Sequence, residues 1–265
     1  MEYIRAIILG IVQGLCEFLP VSSSGHLLIF QNLFGITADG LFFTVMLHLG
    51  TLLAVLIVYR KRIIEMLCHP VRLWKYWVWM IAATLVTVIM QLVLGDFFES
   101  ANDGRYLGYS FIFTALLLTA CDVMRKNYSA DLSVQTMKWY QALFIGFMQG
   151  IAILPGVSRS GATITGASLC RMKKEDAAEF SFLLSIPAIL GGAVLEVPGA
   201  IKEGITGGIL PVLVGVLAAG ICGYFAVRFM IKLITKHSFR GFAIYTAVLG
   251  IYLILDWNIF HLVFK

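Results

Sequence analysis

Charge is what this 265-residue sequence most lacks. Only 13% of its residues are Asp, Glu, Lys or Arg and 60% are hydrophobic, against about 25% charged and about 45–50% apolar in a soluble globular domain. That deficit excludes a soluble fold, because the apolar excess lies in long runs that no single core could hold. Cysteine is sparse too. Cys16, Cys68, Cys121, Cys170 and Cys222 are odd in number, scattered, and form no Cys-x-x-Cys, which leaves neither a zinc or redox motif nor a disulfide frame; they read as small apolar fillers. P-loop and haloacid-type aspartate motifs are also missing. The run from Tyr3 to Leu19 carries Arg5, Gln13 and Glu17 and no small-residue cleavage site, so it does not read as a removed signal. The expectation is one membrane domain over residues 1–265 with no soluble appendage.

What is present is a series of apolar segments. Six are long enough to cross a bilayer, at about 41–59, 76–95, 107–124, 179–198, 208–230 and 241–261, given the roughly 20 residues a spanning helix needs. Two further stretches, 4–34 and 140–169, are broken at their centres by Pro, Gly and Ser, and each half is too short to span. Non-helical backbone at membrane depth is tolerated only where protein or a wet cavity surrounds it. The predicted fold class is therefore all-α and polytopic, with about six transmembrane helices plus two re-entrant helical hairpins. Trp74, Tyr76, Trp77, Trp79, Trp139, Tyr140 and Trp257 read as interfacial anchors. Gly215, Ala219 and Gly223 form a small-residue stripe that could pack within the chain or against a second copy in a homodimer.

The two broken stretches resemble each other. At an offset of 136, Gly10, Gln13, Gly14, Val21, Ser22, Ser24 and Gly25 fall on Gly146, Gln149, Gly150, Val157, Ser158, Ser160 and Gly161. The expectation is an internal repeat, 1–130 and 136–265, each a hairpin followed by three spans. Alternating the spans places Arg60, Lys61, Arg62, Arg72, Lys75, Arg125, Lys126, Lys138, Arg171, Lys173, Lys174, Arg228, Lys232, Lys236 and Arg240 on one side. Arg5, Arg105, Lys202 and Lys265 fall on the other, and Arg159 sits in the second break. The positive-inside rule makes the first side cytoplasmic. Three spans per half invert the second half relative to the first, and inverted repeats with broken helices mark a central site for a charged group. The orienting loops account for the net charge of +5, which calls for no nucleic-acid partner.

Ionisable residues at membrane depth cost about 2.5–3.5 kcal/mol each on insertion scales, so they face a partner or a cavity. Glu17 and Arg159 are such residues. One reading makes them a purely structural pair. The other starts from what accompanies Arg159: the hydroxyls of Ser158, Ser160 and Thr163, two glycines, and a helix start near Ser160. An arginine fork, hydroxyls and a helix N-terminus together make an anion site suited to phosphate. In the first break, Gln13 and Glu17 are four apart and share a helix face, and Ser22, Ser23, Ser24 and His26 follow. A carboxylate, hydroxyls and an imidazole suffice for nucleophilic or acid–base hydrolysis. Glu17 and Gln13 equally offer oxygen ligands to Mg²⁺ or Ca²⁺. His48, within a span, reads as a polar packing residue.

The segments QGLCEFLPVSSSGH (13–26) and PGVSRSGAT (155–163) closely resemble the paired motifs of the bacitracin-resistance type undecaprenyl-diphosphatases. The likeness extends over nearly the whole chain. It implies a multi-pass enzyme of the bacterial inner membrane, acting at its outer side, that uses a divalent cation. The implied reaction converts undecaprenyl pyrophosphate, a carrier lipid of cell-wall synthesis, to undecaprenyl phosphate and inorganic phosphate. Carried over by motif, Glu17, Ser23 and His26 fall on functional positions of the first segment, and Ser158, Arg159 and Thr163 on those of the second. The sequence departs where many members have Glu: Gln13 cannot act as a base, so that burden falls on Glu17. The working assignment gives catalysis to Glu17, Ser23, His26 and Arg159. Phosphate binding goes to Ser22, Ser158, Arg159, Ser160 and Thr163, and the metal to Glu17 and Gln13. The nucleophile is Ser23 or a water activated by Glu17. A flippase for the polyprenyl phosphate would share the anion site but need no nucleophile. A vanadium-haloperoxidase-like phosphatase is disfavoured, because the chain has no Arg-Pro dipeptide and no His soon after Ser158-Arg159.

Overall fold

Proline and serine decide where the first helices stop and restart. Helix α1 (Glu2–Phe18) ends where Pro20 disfavours helical backbone at the residue before it, and α2 (Ser23–Leu33) starts where the Ser22 side chain accepts from the Gly25 amide. The computed structural model, which describes residues 2–35, 40–127, 129–203 and 208–264, then runs through α3 (Gly40–Val58), α4 (Arg60–Cys68), α5 (Trp74–Ser100) and α6 (Leu107–Asn127). The second broken pair is α7 (Trp139–Ile151) and α8 (Arg159–Leu169), followed by α9 (Lys174–Glu203), α10 (Ile209–Lys236) and α11 (Arg240–Leu255). Among the described residues there is no strand, only an isolated bridge between Leu132 and Met172. The side chains of residues 197–207, Lys202 among them, and Lys265 lie outside the described residues.

Five of these helices are long and apolar enough to cross a membrane, and the pair α3–α4, bent by 72°, makes a sixth if it is one span. They fall on the six segments expected from the sequence. The short basic helix α4 was not anticipated; it turns Arg62 back so that its guanidinium bonds Glu179 of α9 at 2.8 Å and lies over the Tyr76 ring of α5. Tyr76 donates to the same carboxylate at 2.8 Å. Three helix ends are thereby tied at one level.

The distribution of side chains is that of a membrane protein. Leu92, Leu217 and Phe225 stand exposed on helix surfaces while Gln13, Thr51, Thr114, Thr165, Ser181 and Ser185 are buried. With lipid as apolar as leucine, helices in a bilayer are held by close packing and internal polar contacts rather than by burial of greasy surface. Close packing is clear where α1 meets α10. A Cβ on Gly10 would come within 2.4 Å of the Gly215 carbonyl oxygen, and one on Gly14 within 2.5 Å of that of Ala219. The stripe Gly215, Ala219 and Gly223 is thus buried within the chain and presents no surface to a second copy. On the other side, a Cβ on Gly146 of α7 would come within 2.4 Å of the Ala83 carbonyl oxygen of α5.

Gly14→Val should therefore force α1 off α10 and destabilise the protein by about 1–3 kcal/mol or more. Gly191→Ala, in a helix with open space around it, should be neutral or slightly stabilising. Thermal unfolding in detergent compares the two, and equal midpoints would refute the packing account.

Candidate active site

The two breaks meet. The ideal Cβ position of Gly25 lies 2.9 Å from Cα of Gly156, where Gly156 itself has φ +91° and lies against Ser110 and Leu107 of α6. Only glycine suits both the left-handed backbone and the close approach. Thr114 of α6 clamps the second break, donating to the Gly156 carbonyl at 2.9 Å and accepting from the Ser158 amide at 3.0 Å.

Across this junction the Arg159 guanidinium donates through Nη2 to Glu17 Oε1 at 2.8 Å. The side chains are 14% and 4% exposed, so the pair is nearly sealed from solvent. The other carboxylate oxygen, Oε2, accepts from Ser23 Oγ at 2.6 Å and from Gln13 Nε2 at 3.0 Å. Gln13 Nε2 also donates to His48 Nδ1 at 2.8 Å, which itself lies 3.4 Å from Glu17 Oε2. Arg159 Nη1 is buried with no hydrogen-bond partner. The structure thus holds a serine hydroxyl directly against a carboxylate, beside a guanidinium with unused donor hydrogens.

These groups line a cavity of about 240 Å³ together with Ser22, Ser24, His48, Gln149 and Glu196. A second space of about 700 Å³ shares Ser24, His48 and Glu196 with it and extends past Leu28 to Phe98 and Asn102 at the end of α5. Of the residues expected from the sequence, Glu17, Ser22, Ser23 and Arg159 face the inner cavity, and Gln13 touches it only through Glu17.

The others stand behind it. His26 does not line the cavity: its Nδ1 bonds the Ser22 carbonyl at 2.7 Å and its Nε2 the Tyr245 hydroxyl at 2.7 Å. A carbonyl can only accept, so Nδ1 carries the proton and Tyr245 donates to Nε2. His26 in this state steadies the first break, where Ser22 holds φ 70°, an unfavourable value for a residue with a side chain. Ser158 caps α8 by accepting from Gly161 N at 3.1 Å, so that amide is already engaged. Ser160 Oγ donates to the Leu19 carbonyl at 3.3 Å. The Thr163 hydroxyl lies 2.9 Å from the Arg159 carbonyl oxygen and 2.6 Å from Ser181 Oγ. In this geometry the three hydroxyls are engaged within the protein and hold the second break rather than point into the cavity.

His48, Gln149 and Glu196 were not expected here. Intramembrane ionisable residues are functional candidates by default, so the signal for His48 and Glu196 was in the apolar runs that contain them. What was lacking was their facing direction, which depends on how α3 and α9 pack around the breaks.

A divalent cation can be tested against these donors. Among the described residues no group of three or more His, Cys, Asp and Glu could hold a metal. Glu17 offers one carboxylate at the cavity, its oxygens shared with Arg159, Ser23 and Gln13, and Gln13 Oε1 is buried behind it with no hydrogen-bond partner. This fits a cation of the Mg²⁺ kind that takes one or two protein oxygens and completes its shell with phosphate oxygens and water, not one held in an all-protein cage.

Fold and site together define a multi-pass α-helical membrane protein whose two broken helices share a buried carboxylate–guanidinium pair. The family profile of bacitracin resistance protein BacA matches residues 6–252. Over 256 residues, 95% of this chain and 96% of the other, it is 42% identical to a protein named undecaprenyl-diphosphatase from Carboxydothermus hydrogenoformans. It is 40% identical to undecaprenyl-diphosphatase 4 of Bacillus thuringiensis (strain Al Hakam) over 96% of this chain and 97% of that one. To the undecaprenyl-diphosphatase of Halothermothrix orenii it is 35% identical over 98% of this chain. The chain belongs to the BacA family.

Removing one partner of a buried ion pair typically costs about 3–5 kcal/mol, because the other charge is left uncompensated. Glu17→Ala and Arg159→Ala should each destabilise by about that amount, and the double variant by clearly less than their sum. Denaturant titration of the four proteins reads the coupling; additive losses would mean the two charges do not interact.

Proposed function

We propose that the protein removes the terminal phosphate of undecaprenyl pyrophosphate in the bacterial inner membrane. The products are undecaprenyl phosphate and inorganic phosphate, and recycling of the carrier lipid would confer bacitracin resistance. The observation that carries this reading is the Ser23 hydroxyl 2.6 Å from a carboxylate that is itself paired with Arg159, in a cavity of a BacA-family chain. The names of its relatives support it. A flippase for the polyprenyl phosphate would use the arginine but has no need of a hydroxyl held on a base.

The two oxygens of Glu17 divide the work. Oε1 orients Arg159, whose free Nη1 donors take the oxygens of the terminal phosphate. Oε2 accepts the Ser23 proton as Oγ attacks the terminal phosphorus and the anhydride P–O bond breaks, with the lipid phosphate leaving. Glu17 passes that proton to the departing lipid phosphate; water then attacks the phosphorus on Ser23 and gives its proton to Glu17, which returns it to Oγ as the P–Oγ bond breaks and inorganic phosphate leaves. In the alternative, Glu17 takes the proton of a water that attacks directly. Charge grows on the leaving phosphate in either route, and fixed positive charge placed in advance is the largest contributor to such reactions. A Mg²⁺ or Ca²⁺ ion, when bound by Glu17, Gln13 and the phosphate oxygens, would supply further neutralisation of that charge. His48 and Gln13 hold the carboxylate in register. The outer space beside α5 and α9 would take the first part of the isoprenoid tail, opening on the side opposite the basic loops.

We infer also that the two halves are inverted repeats. Supporting this, α2 and α8 begin at Ser23 and Arg159, 136 residues apart, each preceded by a capping serine. The first helix of each hairpin also packs by glycines on the long helix of the other half, α1 on α10 and α7 on α5. Ser23 and Arg159 themselves occupy equivalent places, as do Glu17 and Ile153, so the halves would supply different parts of one site.

Arg159→Lys keeps the charge but loses the planar fork. It should lower turnover of undecaprenyl pyrophosphate by about 10²-fold or more in a phosphate-release assay in detergent with Mg²⁺ or Ca²⁺. Ser23→Ala should lose turnover comparably if serine is the nucleophile, and near-normal rates in that variant would leave the direct attack by water.

A further inference from the structure

A third space shares no lining residue with the two at the breaks. Helices α6 and α11 run side by side and are pinned at one end, where a Cβ on Gly108 would come within 2.7 Å of the Gly250 carbonyl oxygen and one on Gly250 within 2.6 Å of that of Gly108. Toward the other end a cleft of about 750 Å³ opens between them. Its walls are apolar: Leu116 and Val123 of α6 and Ile244 of α11 are largely exposed along it, and the small side chains of Ala243 and Ala247 leave it room.

Its mouth is basic. Arg125 and Lys126 end α6, Lys236 ends α10, Arg240 begins α11 and Lys174 begins α9, and all five line the cleft. Four helix ends thus converge at headgroup depth, at the end of the bundle that the charge bias assigns to the cytoplasm. Among the described residues none of the five is in an ion pair. The one carboxylate there, Asp122, is already engaged by the Phe239 amide through both oxygens, at 2.9 and 2.8 Å. Arg125 bonds the Ile234 carbonyl and lies over the Phe239 ring, and its Nε is buried with no hydrogen-bond partner. Orienting the chain requires basic residues in loops; it does not require an open apolar cleft beneath them.

We propose that this cleft binds an anionic phospholipid, its phosphate among the basic residues and an acyl chain in the groove between α6 and α11. Basic pockets between transmembrane helices on the cytoplasmic side have the charge and shape for such headgroups. The site is separate from the proposed phosphatase site and does not depend on it.

Native mass spectrometry of the purified protein, titrated with phosphatidylglycerol, phosphatidylcholine or inorganic phosphate, tests this. Each basic residue near a membrane surface is worth about fivefold in affinity for an anionic lipid. The wild type should retain phosphatidylglycerol in preference to phosphatidylcholine, and the exposed-surface variant Lys126→Gln/Lys236→Gln/Arg240→Gln should lose about 100-fold of that affinity. Ala247→Trp, which fills the groove and leaves the charges, should also release the lipid, and inorganic phosphate should not displace it. Equal retention of the two lipids, undiminished phosphatidylglycerol binding in the triple variant and in Ala247→Trp, or displacement by inorganic phosphate would overturn the proposal. Unchanged turnover in the triple variant verifies its fold; if it fails to fold, Ala247→Trp decides alone.

Discussion

A carboxylate and a guanidinium cannot be left alone at membrane depth. Glu17 and Arg159 satisfy each other at 2.8 Å, yet they belong to segments 142 residues apart in the chain. The contact is made where both helices break, Glu17 in the last turn of α1 and Arg159 in the first turn of α8. Pro20, the capping residues Ser22 and Ser158, and the glycine pair Gly25 and Gly156 make those breaks and let them touch. The buried hydroxyls of Thr114 and Ser160 then bond carbonyls at the breaks, those of Gly156 and Leu19.

The same constraint leaves polar groups unmet. A buried pair that is fully satisfied is only structure, and this one is not. Arg159 keeps unused donors on Nη1 and Gln13 an unused acceptor on Oε1, both sealed from water, where an unmet polar group costs about 1–3 kcal/mol. An incoming diphosphate would satisfy the arginine. The strained Ser22 and its support by His26 and Tyr245 belong to the same economy of position: they hold Ser23 on Glu17 before any substrate arrives.

Much of this was legible in the residues. Long apolar runs give the spans, since spanning length depends on composition alone. The breaks follow from Pro, Gly and Ser in apolar surroundings, and Glu17 and Arg159 stand out because charge is so rare here. Side-chain direction was not legible. Ser160, Thr163 and His26 share the motifs with Ser23 and Arg159, but the turn of each helix points them at Leu19, Ser181 and Tyr245 instead. His48 and Glu196 enter the cavity from helices whose patterns show no face, because α3 and α9 are apolar nearly all round. The small-residue stripe on α10 carries no mark of its partner, and only packing assigns it to α1.

In the proposed reaction Arg159, aligned by Glu17, takes the terminal phosphate, and Glu17 takes the proton of the attacking hydroxyl. An experimental structure with a non-hydrolysable undecaprenyl diphosphate analogue and a divalent cation bound tests it most directly. The terminal phosphate should lie within hydrogen-bond distance of the Arg159 guanidinium, with Ser23 Oγ or a Glu17-bound water in line with the phosphorus. A diphosphate bound elsewhere, or a guanidinium that still faces only Glu17 with the ligand in place, would contradict it.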